Sequence, residues 1–298
     1  MAPGSVLGPE LQLSRKSTFA GEDWFAPAAA YNPHRGSHIV FTHVHSDTGG
    51  DIYGYYWSRM PNDGTWFWLM AGVQPAVAYN AADDDFFVAA MHDSDEDGRY
   101  EIWGYILQGN SDLKIGPFLI FQWANRSFWS PRVAWNSRRN EYLVVWHAVD
   151  TTTGLPNDVA AARVSAGGTG LPVAPRLITA EGRPHSADVT YNPAMDEYLV
   201  VWTKIGTGMD GNIWGALLRG SHLAFIAPGP FPVSAEPEDQ RSPAVTTNGW
   251  DSYMVAWEHA YPGPCCDWDM RGQEYDMLGM PVGVEIRISQ SADDETNV

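Results

Sequence analysis

The strongest local motif in the sequence is Asp93-Ser94-Asp95-Glu96-Asp97-Gly98-Arg99-Tyr100-Glu101. Alternate carboxylates at Asp93, Asp95 and Asp97 can converge on one hard cation. Gly98 permits the sharp turn, the Arg99 carbonyl can point inward, and Glu101 adds a further oxygen, a donor set that suits Ca2+. The competing reading is a solvated acidic turn. A second set is His43, His45 and Asp47, with Asp51 beyond. Alternating residues on an extended chain share a face, so two imidazoles and a carboxylate can hold zinc or another transition metal. Histidines are equally common in exposed loops without a metal, and the spacing leaves both readings open.

Such side chains need a scaffold, and repetition in the sequence supplies one. Short apolar segments end at Asn32, Asn80, Asn136, Asn192 and Asn248, at successive separations of 48, 56, 56 and 56 residues. Pro27, Pro75, Pro131 and Pro243 stand five residues before an Asn. Proline suits a strand entry, where its missing N–H is least costly, and Asn closes an Asx-type turn. A second apolar strand follows in register, as in Tyr142-Leu143-Val144-Val145-Trp146 and Tyr198-Leu199-Val200-Val201-Trp202. A third runs from an acid or amide to Gly three residues on, at Asp51, Glu101, Asn212 and Asp269; copy three departs, with Asp158 followed by Ala161. A fourth is exemplified by Phe118-Leu119-Ile120-Phe121.

Strands apolar on both sides must be covered on two faces. Four per unit, five times over and without helical periodicity, predict an all-β five-bladed β-propeller with four antiparallel strands per blade. The expected blades are about 22–72, 73–127, 128–183, 184–239 and 240–292 within one domain over 1–298. Residues 8–16 form an extra strand in this scheme; Glu10 to Leu13 and Glu285 to Ile288 compete to close the ring.

The repeats resemble a bacterial family of five-bladed propellers, broadly like TolB-type blades. Tyr-Asn, Glu-Tyr-Leu-Val-Val-Trp and Asp-Ile-Tyr-Gly elements carry the likeness, most closely at Asn192 to Trp202 and Asp51 to Gly54. The resemblance spans about residues 27 to 290 and implies architecture without any particular reaction. The segment from Asp93 is also similar to the D-x-D-x-D-G-x-x-D calcium hairpin of integrin-type propellers. It departs at Glu101, where every blade has an acid or amide, so Glu101 is equally explained as part of the repeat.

Five-bladed glycosidases generally place carboxylates near the central funnel, flanking the scissile bond. The first inner-strand positions here are Ala28, Ala76, Arg132, Asp188 and Ala244, a single acid, which argues against that chemistry. His147 occupies the same strand end as His43, and His259 lies one place further along. His43, His147, Arg132 and Asp188 are therefore the catalytic candidates for an axial pocket. Asp83-Asp84-Asp85 reads as a solvated turn. No nucleophile elbow, phosphate-binding glycine loop or zinc-type cysteine pair is present, so no organic cofactor is expected.

Trp24, Phe128, Trp129, Trp250 and Trp268 fall outside the expected strand cores, whereas Trp103, Trp146, Trp202, Trp214 and Trp257 recur at repeat positions and belong to blade packing. Exposed Trp rings stack on sugars or anchor protein contacts, which makes Trp24, Trp129 and Trp268 the ligand-binding candidates.

With 18 basic against 36 acidic residues the formal charge is −18, which argues against nucleic acid and anionic membranes as partners. No apolar run is long enough for membrane insertion, and no signal peptide is legible. Calcium and surface Trp favour an extracellular or periplasmic setting. Cys265 and Cys266 are adjacent and cannot staple distant parts of the fold.

The expected function is a calcium-stabilised, lectin-like binding module that recognises a carbohydrate or protein partner through one rim, without catalysis. The alternatives are an enzyme (lyase, hydrolase or cyclase) with an axial pocket, and a structural or assembly component.

Overall fold

The computed structural model describes residues 23–46, 49–58, 64–169, 175–206, 210–226, 229–234, 236–260 and 268–289. They form five four-stranded antiparallel sheets. Blade one comprises β1 (Asp23–Asn32), β2 (Ser37–Ser46), β3 (Gly49–Trp57) and β4 (Thr65–Ala71). Blade two comprises β5 (Val73–Asn80), β6 (Asp85–His92), β7 (Glu101–Gln108) and β8 (Leu113–Phe121). Blade three comprises β9 (Arg126–Asn136), β10 (Glu141–Asp150), β11 (Pro156–Ser165) and β12 (Arg176–Thr179). Blade four comprises β13 (Pro184–Asn192), β14 (Glu197–Ile205), β15 (Gly211–Arg219) and β16 (Phe231–Ser234). Blade five comprises β17 (Gln240–Thr247), β18 (Ser252–Ala260), β19 (Trp268–Asp276) and β20 (Pro281–Arg287). The first strands β1, β5, β9, β13 and β17 pack on one another in succession and form the innermost layer.

Because both faces of a blade are apolar, the core consists of inter-blade seams. Separate clusters of buried side chains join blades one and two, two and three, three and four, and four and five. Trp146, Trp202 and Trp257, each on the second strand of its blade, are fully buried in them. Val282, Val284, Ile286 and Ile288 alternate along β20 and its end and stand exposed. Glu285 to Arg287 belongs to the fourth strand of blade five, paired with β19. Glu10 to Leu13 and Cys265-Cys266 lie outside the described residues.

The recurrent Asn does more than end a strand. Asn136 Oδ1 accepts the N–H groups of Arg138 (3.0 Å) and Arg139 (3.1 Å), while its Nδ2 donates to the Tyr198 hydroxyl of the next blade at 3.0 Å. Asn80 repeats this with Ala82, Asp83 and Tyr142. Asn32, Asn80, Asn136 and Asn192 are all fully buried. The same rim corrects the reading of Asp83-Asp84-Asp85 as a solvated turn. Asp84 accepts from Asn32 (2.7 Å), Arg35 (2.7 Å) and Tyr79 (2.9 Å), and Asp85 is buried against Lys114. Burial alone would raise the Asp84 pKa, but those hydrogen bonds hold it below the ordinary carboxylate value. Asp196 is held in a similar way in blade four, by Tyr191 and Arg139.

The third-strand glycine also has a physical reason. Gly54 pairs across the sheet with Phe67, Gly104 with Phe118 and Gly215 with Phe231, each ring lying over the glycine. A Cβ on Gly104 would fall 2.6 Å from the Phe118 ring. Blade three departs because Ala161 faces Arg176, which puts no ring there. Gly104→Ala is therefore expected to lower stability by about 1–3 kcal/mol through overpacking. Ala161→Gly should change it by about 1 kcal/mol or less, both read from urea denaturation midpoints.

Candidate functional site

All five inner strands carry a β-bulge at the same repeat position. Pairing slips between Phe25 and Ala28, Val73 and Ala76, Trp129 and Arg132, His185 and Asp188, and Arg241 and Ala244. The residue within the slip is left-handed in each blade: Ala26 (φ 48°), Gln74 (51°), Ser130 (52°), Ser186 (48°) and Ser242 (52°). None is glycine, so tertiary contacts hold a disfavoured conformation five times over. Pro follows in four blades, at a place where pairing is already interrupted and its missing N–H removes little. Bulges re-aim the adjoining side chains, and here they do so in the innermost layer.

Polar contacts link the bulges from blade to blade. The Gln74 N–H donates to His43 Nδ1 (3.3 Å), the Ser130 N–H to Gln74 Oε1 (3.0 Å), and the Val245 N–H to Asp188 Oδ2 (2.8 Å). The junction of blades three and four differs. Arg132 Nε lies 4.0 Å from Asp188 Oδ1, beyond hydrogen-bond distance, and the His147 and His185 rings face each other edge-on at 6.4 Å. The Nδ1 of His147 is buried without a hydrogen-bond partner among the described residues. Burial first, then His185 and Arg132, lower the His147 pKa to about 3, so its imidazole is neutral at physiological pH. His185 is also lowered, by burial, against the opposing pull of the Arg183 carbonyl and Asp239. Burial raises the Asp188 carboxyl, with Arg132 and the amides of Val245 and Val189 acting the other way. A carboxyl with a raised pKa and a neutral imidazole thus both interact with Arg132, an acid and a base in outline.

The His147 shift has a defined sign. Its native pKa is below the ordinary 6.5, so the unfolded chain binds a proton that the native state refuses. Stability should be fully present above pH 6.5 and decline as the pH falls toward 3, by at most about 1.4 kcal/mol per pH unit for this group. His147→Gln should flatten the decline between pH 6.5 and 5 in urea titrations.

Of the four catalytic candidates, His147, Arg132 and Asp188 come together and His43 does not. His43 is buried at the end of β2 and serves as an acceptor for blade two. Of the second metal set, Asp51 accepts from Trp68 Nε1 at 2.9 Å. The side chain of His45 and all of Asp47 lie outside the described residues. His185 and Asp239 were missed in sequence: His185 occupies a position where other blades carry Phe25, Val73, Trp129 and Arg241, so no repeat signal marks it.

In the acidic hairpin, Asp93, Asp95 and Glu101 bring one ligand oxygen each within 4.8 Å of one another. Asp97 turns instead to the Arg99 guanidinium, a correction to its place in the ligand set. Asp93 also accepts the N–H groups of Asp97 (3.0 Å) and Gly98 (2.8 Å), and Glu101 those of Ser94 and the Trp103 indole. A further cluster joins Glu236, Glu238 and His259, with Arg271 3.6 Å from Glu236.

The aromatic candidates are placed differently from one another. Trp268 is buried beneath Arg241, whose guanidinium lies 3.6 Å from its ring centroid, so it offers no free face. Phe128 is buried as well. Trp129 is partly buried edge-on to Tyr100 at 5.4 Å. Trp24 lies on β1, and its side chain is outside the described set. Trp250 is exposed on the opposite rim, in the turn between β17 and β18.

The chain is a five-bladed β-propeller. No protein-family model and no curated protein matches its sequence. It is similar to a protein of unknown function from Dyadobacter fermentans DSM 18053, with TM-score 0.61 and 13% identity over 90% of this chain and 79% of that one. It is also similar to a thermostable family-43 glycoside hydrolase, with TM-score 0.53 and 12% identity over 93% and 97% of the two chains. The endo-arabinase from Bacteroides thetaiotaomicron VPI-5482 matches with TM-score 0.52 and 10% identity over 91% and 95%. At such identities the likeness establishes the fold. Two of these neighbours are named as a glycoside hydrolase and an endo-arabinase, which runs against the expectation of a noncatalytic binding module. The TolB-type resemblance extends only to the propeller architecture.

Proposed function

We propose that this propeller is a carbohydrate-active hydrolase that cleaves glycosidic bonds at the axial junction of blades three and four. The observation that carries the reading is Asp188 with its pKa raised by burial, set 4.0 Å from Arg132 at a bulge of the innermost layer, where Arg132 also acts on the buried His147 that faces His185. Asp188 donates its proton to the leaving oxygen. His185, whose protonated form Asp239 favours, takes a proton from the attacking water. Arg132 then stabilises the carboxylate that proton donation leaves behind. This departs from the two-carboxylate arrangement of most glycosidases, since His185 stands in for the second acid. The fold neighbours named as a family-43 glycoside hydrolase and an endo-arabinase support the substrate class.

The test is release of reducing sugar from arabinan, arabinoxylan and a panel of chromogenic aryl glycosides. Release that disappears in Asp188→Asn and His185→Gln supports the reading; no release from any substrate, or turnover that survives both changes, overturns it.

Calcium at Asp93, Asp95 and Glu101 is part of the same proposal. Oxygens bound to one Ca2+ at about 2.3–2.6 Å lie within about 5 Å of each other, as these three do. Ligand binding to the native state raises stability by about 2.7 kcal/mol at 100 times Kd. The melting temperature should therefore rise by several degrees in millimolar CaCl2, and Asp95→Ala should remove the rise. An unchanged melting temperature would leave the hairpin as an acidic turn. Extracellular or periplasmic residence fits both calcium use and a polymeric substrate.

A further inference from the structure

A cleft between blades two and three is unused by the axial chemistry. It contains two hollows, of about 520 Å³ and 350 Å³, that share Trp123, Arg126 and Phe128 as a common wall. Volumes of this order suit ligands of a few rings. Trp123 is 65% exposed, whereas the Trp residues that recur on the second strands of the blades are fully buried. Its indole rests against Phe121 at a centroid distance of 6.4 Å, and its carbonyl accepts the Arg126 N–H (3.3 Å), closing a tight turn. The ring is thus a supported flat surface. The acidic hairpin forms the facing wall and is tied to the same strand, because the Tyr100 N–H donates to Ser127 Oγ (2.9 Å) and the Phe128 N–H to the Tyr100 carbonyl (2.9 Å).

The polar groups around this ring come as two ion pairs, Arg99 with Asp97 and Arg126 with Asp158. Paired guanidinium and carboxylate groups offer fixed donors and acceptors side by side, the arrangement that vicinal hydroxyls require, while the apolar face of a sugar ring stacks on indole. With Asp95 and Glu101 committed to the cation, Asp97 and Asp158 balance the two guanidinium groups of the cleft. Both guanidinium groups are already paired, so neither is free to hold a uronic or sulfated sugar.

We propose that this cleft is an accessory subsite that holds a neutral oligosaccharide stretch of the polymer, with Trp123 as the stacking platform. The inference rests on the glycan-hydrolase reading for its substrate class, but it is read by binding and not by turnover. The experiment is affinity electrophoresis of the full chain in gels containing soluble arabinoxylan or linear arabinan, with polygalacturonate as the acidic control. Wild type, Trp123→Ala, Trp123→Tyr and Asp188→Asn are compared, and circular dichroism checks the fold of each. Retardation by at least one neutral polymer, weakened tenfold or more in Trp123→Ala, partly restored in Trp123→Tyr and kept in Asp188→Asn, is the expected result. Wild-type retardation unchanged by Trp123→Ala overturns the subsite, as does equal retardation by polygalacturonate or none by any neutral polymer. Retardation that depends on Trp123 in a protein releasing no sugar would uphold the subsite and remove the hydrolytic reading. Where turnover exists, Trp123→Ala should raise KM on the polymer at least fivefold and leave kcat on a small aryl glycoside unchanged.

Discussion

Asp188→Asn is expected to lower kcat on a cleaved glycan by about 10²–10⁴-fold, the usual contribution of a positioned general acid, with little change in melting temperature. The substitution keeps an oxygen for the Val245 N–H, which Asp188 Oδ2 accepts at 2.8 Å. It also removes a carboxyl that burial already biases toward the neutral form, so the native state loses little. A large loss of activity with an intact fold therefore distinguishes proton donation from a structural role. The pH profile gives a second check. An acid catalyst must be protonated, and because burial raises the Asp188 pKa, activity should persist to higher pH than an ordinary carboxyl would allow and then fall on the alkaline side. Substrates with leaving groups that need no proton should lose much less in Asp188→Asn. Equal losses for good and poor leaving groups would remove Asp188 from the acid role.

The largest stability effect is expected at Asn136. Asn136→Ala removes the donor to Tyr198, whose hydroxyl is fully buried, and the acceptor for the amides of Arg138 and Arg139. Leaving a buried polar group without its partner costs about 1–3 kcal/mol, and the lost turn closure adds to it. A total of about 2–4 kcal/mol is expected. Asn248→Ala provides the contrast. In blade five the same residue is exposed and bonds only within its own turn, to Trp250, Asp251 and Ser252. Water can replace those contacts, so about 1 kcal/mol or less should be lost. Equal losses from the two substitutions, measured by urea denaturation, would show that the Asn acts through its turn alone and not as a link between blades.

Spacing and residue type alone determined the repeat, the strand-ending Asn, the two-faced second strands and hence the propeller. These features are local: Tyr198-Leu199-Val200-Val201-Trp202 reads as a doubly covered strand wherever it occurs, because alternation and β-branching act within a few residues. Choosing among the chemical side chains required the tertiary structure. His43 and His147 occupy equivalent strand ends, yet the Gln74 amide engages the first while the second stands near Arg132 and His185. Asp84 is a link between blades rather than a solvated acid, Trp268 is covered by Arg241, and Trp123 is exposed. The physical reason is common to all of these. Each outcome depends on a neighbour brought up by strand pairing or blade packing, such as Arg132 with Asp188 or Asn32 with Asp84, from tens of residues away in the chain. No local pattern records which neighbour arrives, and it is that neighbour that decides whether a polar group is buried, paired or left to react.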